Sequence, residues 1–158
     1  LGKTTLLKTI LGLIKPVSGE LVKGDFLQVG YFAQEDNPNN DMIALDYIWE
    51  AYPSMTNAEV RNALAKCGLT TDHITSQMRV LSGGENAKVR LCKLMQEKYN
   101  VLVLDEPTNH LDIYAKDELA KALKAFRGTI VVVSHEPKWY ESWVTDVWNI
   151  EDWTTKIV

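Results

Sequence analysis

Cysteine is scarce in this chain: Cys67 and Cys92 are the only two in 158 residues. They lie far apart in sequence among apolar neighbours, which points to reduced, buried thiols rather than to a disulfide framework or a zinc site. Long apolar runs are lacking too. No uninterrupted stretch reaches the roughly 20 residues that a membrane helix requires, so no membrane segment of its own is expected. The opening Leu1-Gly2-Lys3-Thr4 has neither the charge pattern nor the apolar core of a secretory leader, and a cytoplasmic setting is expected. Positive charge is not in surplus. A formal net charge of -4 supplies no overall drive toward RNA, DNA or anionic lipid, which leaves a local basic face as the one electrostatic route to them. Internal repeats and low-complexity linkers are missing as well. What is present is a 46% hydrophobic content at a length that suits one soluble domain, so residues 1–158 are expected to form a single domain.

Hydrophobic spacing sets the order of elements. Leu7, Ile10, Leu11 and Ile14 predict a helix from Lys3 to Ile14, ended by Pro16 and Gly19. Strands are predicted at Leu21-Val22 and Phe26 to Phe32, and the second runs into a polar loop. Helical periodicity then covers Ile43 to Ala51 and Ala58 to Cys67, the latter opened by a capping box of Thr56 and Glu59. A second box, Ser82 with Glu85, opens a helix with Ala87, Leu91, Leu94 and Met95 on its apolar face and Lys88, Arg90 and Lys93 on its solvated one. Val101 to Leu104 and Thr129 to Val133 are continuous apolar runs, as expected of parallel strands covered on both faces. A crossover helix between them carries Ala115, Leu119, Ala122, Leu123 and Phe126 inward, with Gly128 at its expected C-cap. The order is α/β, and residues 36–99 read as a helical subdomain within the one domain.

Three short segments carry chemistry. Gly2-Lys3-Thr4-Thr5 at a helix start matches the end of a phosphate-binding loop, in which backbone N–H groups and the helix dipole hold phosphate, the lysine contacts it and a hydroxyl ligates Mg²⁺. The same residues also suit plain helix capping. Asp105 and Glu106 follow a buried strand, where open parallel sheets place their ligands. There Asp105 would hold the water shell of Mg²⁺ and Glu106 would orient or deprotonate an attacking water. An exposed acidic strand end is the alternative. Ser82-Gly83-Gly84-Glu85 puts small residues at a helix N-terminus, where amides can approach an anion, although Ser82 can instead cap its own helix and the two uses compete for one hydroxyl.

Together these segments resemble the ATP-binding cassette ATPases. Leu81 to Glu85 is similar to the family's signature motif, and Asp105 to Asp112, DEPTNHLD, to its extended Walker B and D-loop, which ends at Asp112. Gly2 to Thr5 then resembles the end of the Walker A motif, Gln34 the Q-loop glutamine and His135 the switch histidine, all in family order. The resemblance implies a P-loop NTPase (RecA-like) fold, a parallel sheet core with a helical signature subdomain inserted. It further implies ATP and Mg²⁺ as ligands. Gln34 would reach the metal and the attacking water, His135 the γ-phosphate, and Ser82 to Glu85 the nucleotide of a partner cassette. His110 gains no metal role, having no Cys or His partner at ligand spacing.

Asn109-His110 and the short insert between Gln34 and Leu81 resemble the ABC-F branch, which pairs two cassettes in one chain without a membrane domain. That resemblance implies action on the ribosome and its RNA in translation. Gly30 to Gln34 and Ala65 to Leu69 look more like the second cassette than the first. Glu136-Pro137 departs from the Asp-Arg that commonly follows the switch histidine. The first half of the Walker A pattern would precede Leu1, so the 158 residues alone are expected to bind MgATP poorly and to be inactive. The rival readings are the nucleotide-binding domain of a membrane transporter and a non-hydrolysing interaction module. Trp139, Tyr140, Trp143, Trp148 and Trp153 could stack on RNA bases, but packing is the expectation.

Overall fold

The computed structural model describes residues 2–33 and 40–149; Gln34 and Trp153 lie outside them. The first element, α1, runs Lys3–Leu11 and stops short of Ile14. Gly12 adopts φ 77 there and donates its N–H to Lys8 and Thr9, which closes the helix.

Only the second half of the Phe26 to Phe32 stretch pairs, as β1, Val29–Phe32, and no strand forms at Leu21-Val22. The side chain of Asn100 takes the place of a ladder at the preceding residues. Its Nδ2 donates to the Phe26 carbonyl at 2.7 Å and its Oδ1 accepts from the Gln28 N–H at 2.8 Å. Leu21 and Val22, with no strand beside them, stay exposed.

After β1 come α2 (Ala44–Ala51), α3 (Asn57–Lys66), α4 (Thr71–Thr75) and α5 (Gly83–Leu94). Then follow β2 (Val101–Asp105), α6 (Ile113–Ala125), β3 (Thr129–Val133) and the short α7 (Pro137–Tyr140). The sheet is parallel with β2 in the middle, in the order β1-β2-β3. Its registers run Val29↔Val101 to Phe32↔Leu104 and Val101↔Thr129 to Asp105↔Val133, so all three strands finish at one edge. Val103 and Leu104 are buried as expected of a central strand, whereas β3 is only half-covered.

Two apolar cores flank α5. The first gathers Leu45 and Ile48 of α2, Val60 and Leu64 of α3 and Ile74 of α4 around Val89 and Cys92. The second packs Phe32, Leu104, Leu119, Leu123 and Trp139 around Ala87. Because α5 is used on two sides, its expected solvated face is not one. The Arg90 guanidinium lies 4.5 Å from the centre of the Phe32 ring and donates to the Ala33 carbonyl, and the Lys93 ammonium sits 4.3 Å from the centre of the Tyr47 ring. Met95, expected inside, is exposed.

In α6, Leu119, Ala120 and Leu123 form the buried stripe while Ala122 faces solvent. The helix ends at an extended Phe126, not at Gly128. Gly128 is needed for space: a Cβ there would stand 2.5 Å from both the Asn100 carbonyl oxygen and the Phe126 ring. Packing accounts for Trp139 and Trp143, whose rings meet edge to face at 5.1 Å, with Trp139 Nε1 donating to the Lys116 carbonyl at 3.0 Å. Trp148 stays exposed.

Candidate functional site

The common edge of the sheet carries the candidate groups. Asp105 closes β2 with a wholly buried carboxylate, neither oxygen of which has a hydrogen-bond partner among the described residues. Glu106 follows with φ 49, a left-handed backbone that non-glycine residues seldom adopt, and its N–H donates to Val133 at 2.9 Å, one step beyond the ladder. This turn aims the Glu106 side chain at His135, just past the end of β3. The His135 N–H donates to Glu106 Oε2 at 3.2 Å. His135 Nε2 lies 2.9 Å from Glu106 Oε1, near but not aligned as a hydrogen bond, and that oxygen has no hydrogen-bond partner among the described residues.

Lys3, in the first turn of α1, reaches the other side of the same ring, with Nζ 3.2 Å from His135 Nδ1. An ammonium can only donate. Nδ1 therefore accepts, and the proton of a neutral ring sits on Nε2, facing Glu106. Gly2 is the N-cap of α1 at φ 91, and no described residue comes within 4 Å of where a Cβ would project. No side chain among the described residues caps the helix, which leaves the first-turn amides of Lys3, Thr4 and Thr5 as donors at its positive end. α1 packs on β2, with Thr4 half-buried and Thr5 exposed.

At the start of α5 the competition for the Ser82 hydroxyl is decided locally. Ser82 Oγ accepts from the Glu85 N–H at 3.3 Å, and Glu85 Oε2 accepts from the Ser82 N–H at 2.8 Å. That backbone donor, helped by His73 and Lys88, holds the Glu85 carboxyl below the usual range. Asp112 is likewise occupied, capping α6 by accepting from the Ala115 N–H at 2.8 Å. Gly83 presses on His110: a Cβ there would fall 2.4 Å from His110 Cβ, and His110 itself has φ 65. Gly83, Arg90, Glu106, Asn109 and His110 share the walls of a cavity of about 70 Å³. Glu136, beside His135, accepts from Lys116 Nζ at 2.6 Å, which holds its carboxyl below the usual range. Arg90 and His110 are the contributors that sequence reading missed. Their partners, Phe32 for Arg90 and Gly83 for His110, are remote in the chain; the motif marks His110 as a loop residue but not this contact.

The residues fit the Mg²⁺ that the motifs imply. Among the described residues no cluster of three His, Cys, Asp or Glu could hold a metal. The orphaned buried carboxylate of Asp105 suits a hard cation that keeps its waters and takes phosphate oxygens.

Comparison with known proteins decides the family. A family model described as "ABC transporter" matches residues 1–109. The chain belongs to the ABC transporter family. As an ATP-binding cassette it is 54% identical over 158 residues to the Bacillus subtilis uncharacterized ABC transporter ATP-binding protein YfmM, covering 100% of this chain and 30% of that protein. It is 38% identical over 154 residues to Arabidopsis thaliana ABC transporter F family member 5, covering 96% of the chain and 22% of that protein. The match to Saccharomyces cerevisiae protein GCN20 is 36% over 157 residues, 98% of the chain and 21% of that protein. These relatives are of ABC-F type, and the chain spans less than a third of their length. The fold is that of P-loop NTPase cassettes: the dimeric cassette MJ0796 superposes with a TM-score of 0.72 at 22% identity, over 89% of this chain and 72% of that one.

Proposed function

We propose that this cassette binds and hydrolyses ATP within a two-cassette ABC-F protein of the cytoplasm, and that closure of the two cassettes is coupled to action on the ribosome and its RNA. ABC cassettes are ATPases. The observation that supports a role in hydrolysis here is the Lys3–His135–Glu106 contact at the strand ends. The ribosomal reading rests on DEPTNHLD and on the ABC-F-type relatives. Gly30 to Gln34 and Ala65 to Leu69 favour the second cassette.

In this reading the first-turn amides of Gly2 to Thr5 receive the phosphates, and Lys3 leaves His135 to meet them. His135 then faces the γ-phosphate, and Glu106 accepts a proton from the water that attacks it. Thr4, Gln34 and Asp105 would hold Mg²⁺, which when bound supplies charge neutralisation at the phosphates. Ser82, Gly83, Gly84 and Glu85 serve the nucleotide held by the other cassette, and the loop ending at Asp112 lies along that interface. One cassette thus offers half of each composite site, so the 158 residues alone turn over little ATP. Residues 36–99 act as the arm that presents the signature helix.

The test uses the full-length protein with Glu106→Gln. Turnover should fall by about 10²- to 10⁴-fold, the usual worth of a positioned base, while ATP affinity is kept. The variant should then sediment with ribosomes in ATP. Parental turnover would refute the role of Glu106, and recovery with a membrane subunit instead of ribosomes would favour the transporter reading.

A further inference from the structure

The start of α5 is gripped from outside the helix. Residues 70–78, which carry α4, meet its first turn at two places. Asn86, buried in that turn, donates from Nδ2 to the Met78 carbonyl at 3.2 Å. Glu85, the residue before it, has Oε1 3.3 Å from His73 Nε2, within ion-pair range, and both side chains are half-exposed. His73 is held in turn by its own helix. Thr70 donates its N–H to His73 Nδ1 at 3.3 Å, and His73 donates its N–H to Thr70 Oγ1 at 3.3 Å, a capping box in which an imidazole fills the place of the usual Glu or Gln. Because Nδ1 accepts, a neutral ring carries its proton on Nε2; a protonated ring carries one there as well, so both forms face Glu85 with an N–H. Ile74, the next residue, is buried in the first core and seats α4. The other oxygen of Glu85 holds the Ser82 N–H at 2.8 Å. Two capping boxes therefore stand back to back, joined through His73 and Glu85. Lys88 also acts on Glu85, but it belongs to α5 itself, whereas His73 ties the carboxylate to another element.

We propose that His73 is a positioning residue for hydrolysis at the other cassette's nucleotide, a role that rests on the one proposed above for Ser82 to Glu85. By drawing Glu85 toward α4 it fixes the start of α5. It also offsets a carboxylate charge that would otherwise oppose phosphate at the same helix end.

The experiment measures turnover at each nucleotide site of the full-length protein, with the other site silenced, for His73→Glu and His73→Gln. Both replacements keep an acceptor for the Thr70 N–H, so the α4 box is retained. Glutamate sets a like charge opposite Glu85. Turnover at the site whose lysine belongs to the other cassette should fall about three- to fivefold, the worth of a half-exposed charge contact, while the site built on Lys3 keeps its rate. Glutamine offers an amide N–H in place of the ring's and should stay close to the parent. In a Glu85→Gln background His73→Glu should bring no further loss, because the charge it opposes is gone. Urea midpoints show that each variant is folded. Equal loss at both sites, a loss in His73→Gln as large as in His73→Glu, or an undiminished loss in the Glu85→Gln background would overturn the proposal. Gly84→Asp, assayed alongside, separates the two levels. If it lowers turnover at the other cassette's site and His73→Glu does not, the role of His73 alone is wrong; if neither does, the role of Ser82 to Glu85 falls and that of His73 with it.

Discussion

Gly83 has no room for a side chain, because a Cβ would stand 2.4 Å from His110 Cβ and 3.0 Å from its Cγ. His110 cannot easily retreat, since its own backbone is held at φ 65 and the residue after it, Leu111, is buried in the second core. Gly83→Ala should therefore destabilise the protein by about 1–3 kcal/mol, the usual cost of overpacking a tight contact. Adding His110→Gly should recover most of that loss, since glycine removes the opposing Cβ and accepts the left-handed backbone without strain. Urea unfolding of the parent, the single variant and the double variant checks this. An unchanged midpoint for Gly83→Ala would mean that the contact is not made in solution. The same loop holds Glu106 at φ 49, so the backbone departs from ordinary geometry on both sides of Pro107-Thr108-Asn109. The motif letters identified Glu106 and His110 as neighbours in a loop, but not the strained turn that aims one at His135 and the other at Gly83.

At the scale of elements, α3 and α5 start where their capping boxes say they should, because a box is satisfied by residues three apart and needs no help from the rest of the fold. In α5 the box is also a pH-sensitive contribution. Glu85 has its folded pKa below the ordinary 4.5, with the Ser82 N–H the chief cause. The unfolded chain therefore takes up this proton first as the solution is acidified. Stability from the ionised cap is fully present above about 4.5 and is lost as pH falls through the lower, folded value. Glu85→Gln should cost a few tenths to about 1 kcal/mol at neutral pH, allowing for solvent screening at a half-exposed site. Thermal melts across the acid range should show the gap between parent and variant closing below the ordinary carboxylate pKa. A gap that stays constant would mean that Glu85 contributes shape rather than charge. Strand formation near the start of the chain was less legible. Leu21-Val22 has strand composition but no strand partner among the described residues, and Phe26 to Gln28 are clipped by the Asn100 side chain instead of a ladder.

For the molecule as a whole, α5 is the one helix among those described that enters both cores, so its first turn and the sheet edge share a support. Gly84 sits in that turn with space around it: a Cβ would meet nothing nearer than the His110 carbonyl oxygen at 3.5 Å. Gly84→Asp should accordingly fold. Its charge would oppose phosphate approaching from outside, and about 1–2 kcal/mol at a helix N-terminus is roughly a tenfold loss in turnover. That loss should fall on the site whose lysine belongs to the other cassette. Assays of each site in the full-length protein, with the other silenced, test this; loss confined to the site built on Lys3 of the same cassette would refute it.

The sequence by itself determined the α/β order, the parallel strands at Val101 and Thr129, both capping boxes and the candidates Lys3, Asp105, Glu106 and His135. Each of these is written in contiguous residues or in a spacing set by helix and strand geometry. Only the tertiary structure decided that Lys3 and His135, 132 residues apart, stand within 3.2 Å and that Arg90 stacks on Phe32 rather than facing water. Such meetings depend on the register of the sheet and on which side of α5 each core takes. Those are settled by packing among elements remote in the chain, for which no local spacing carries a signal.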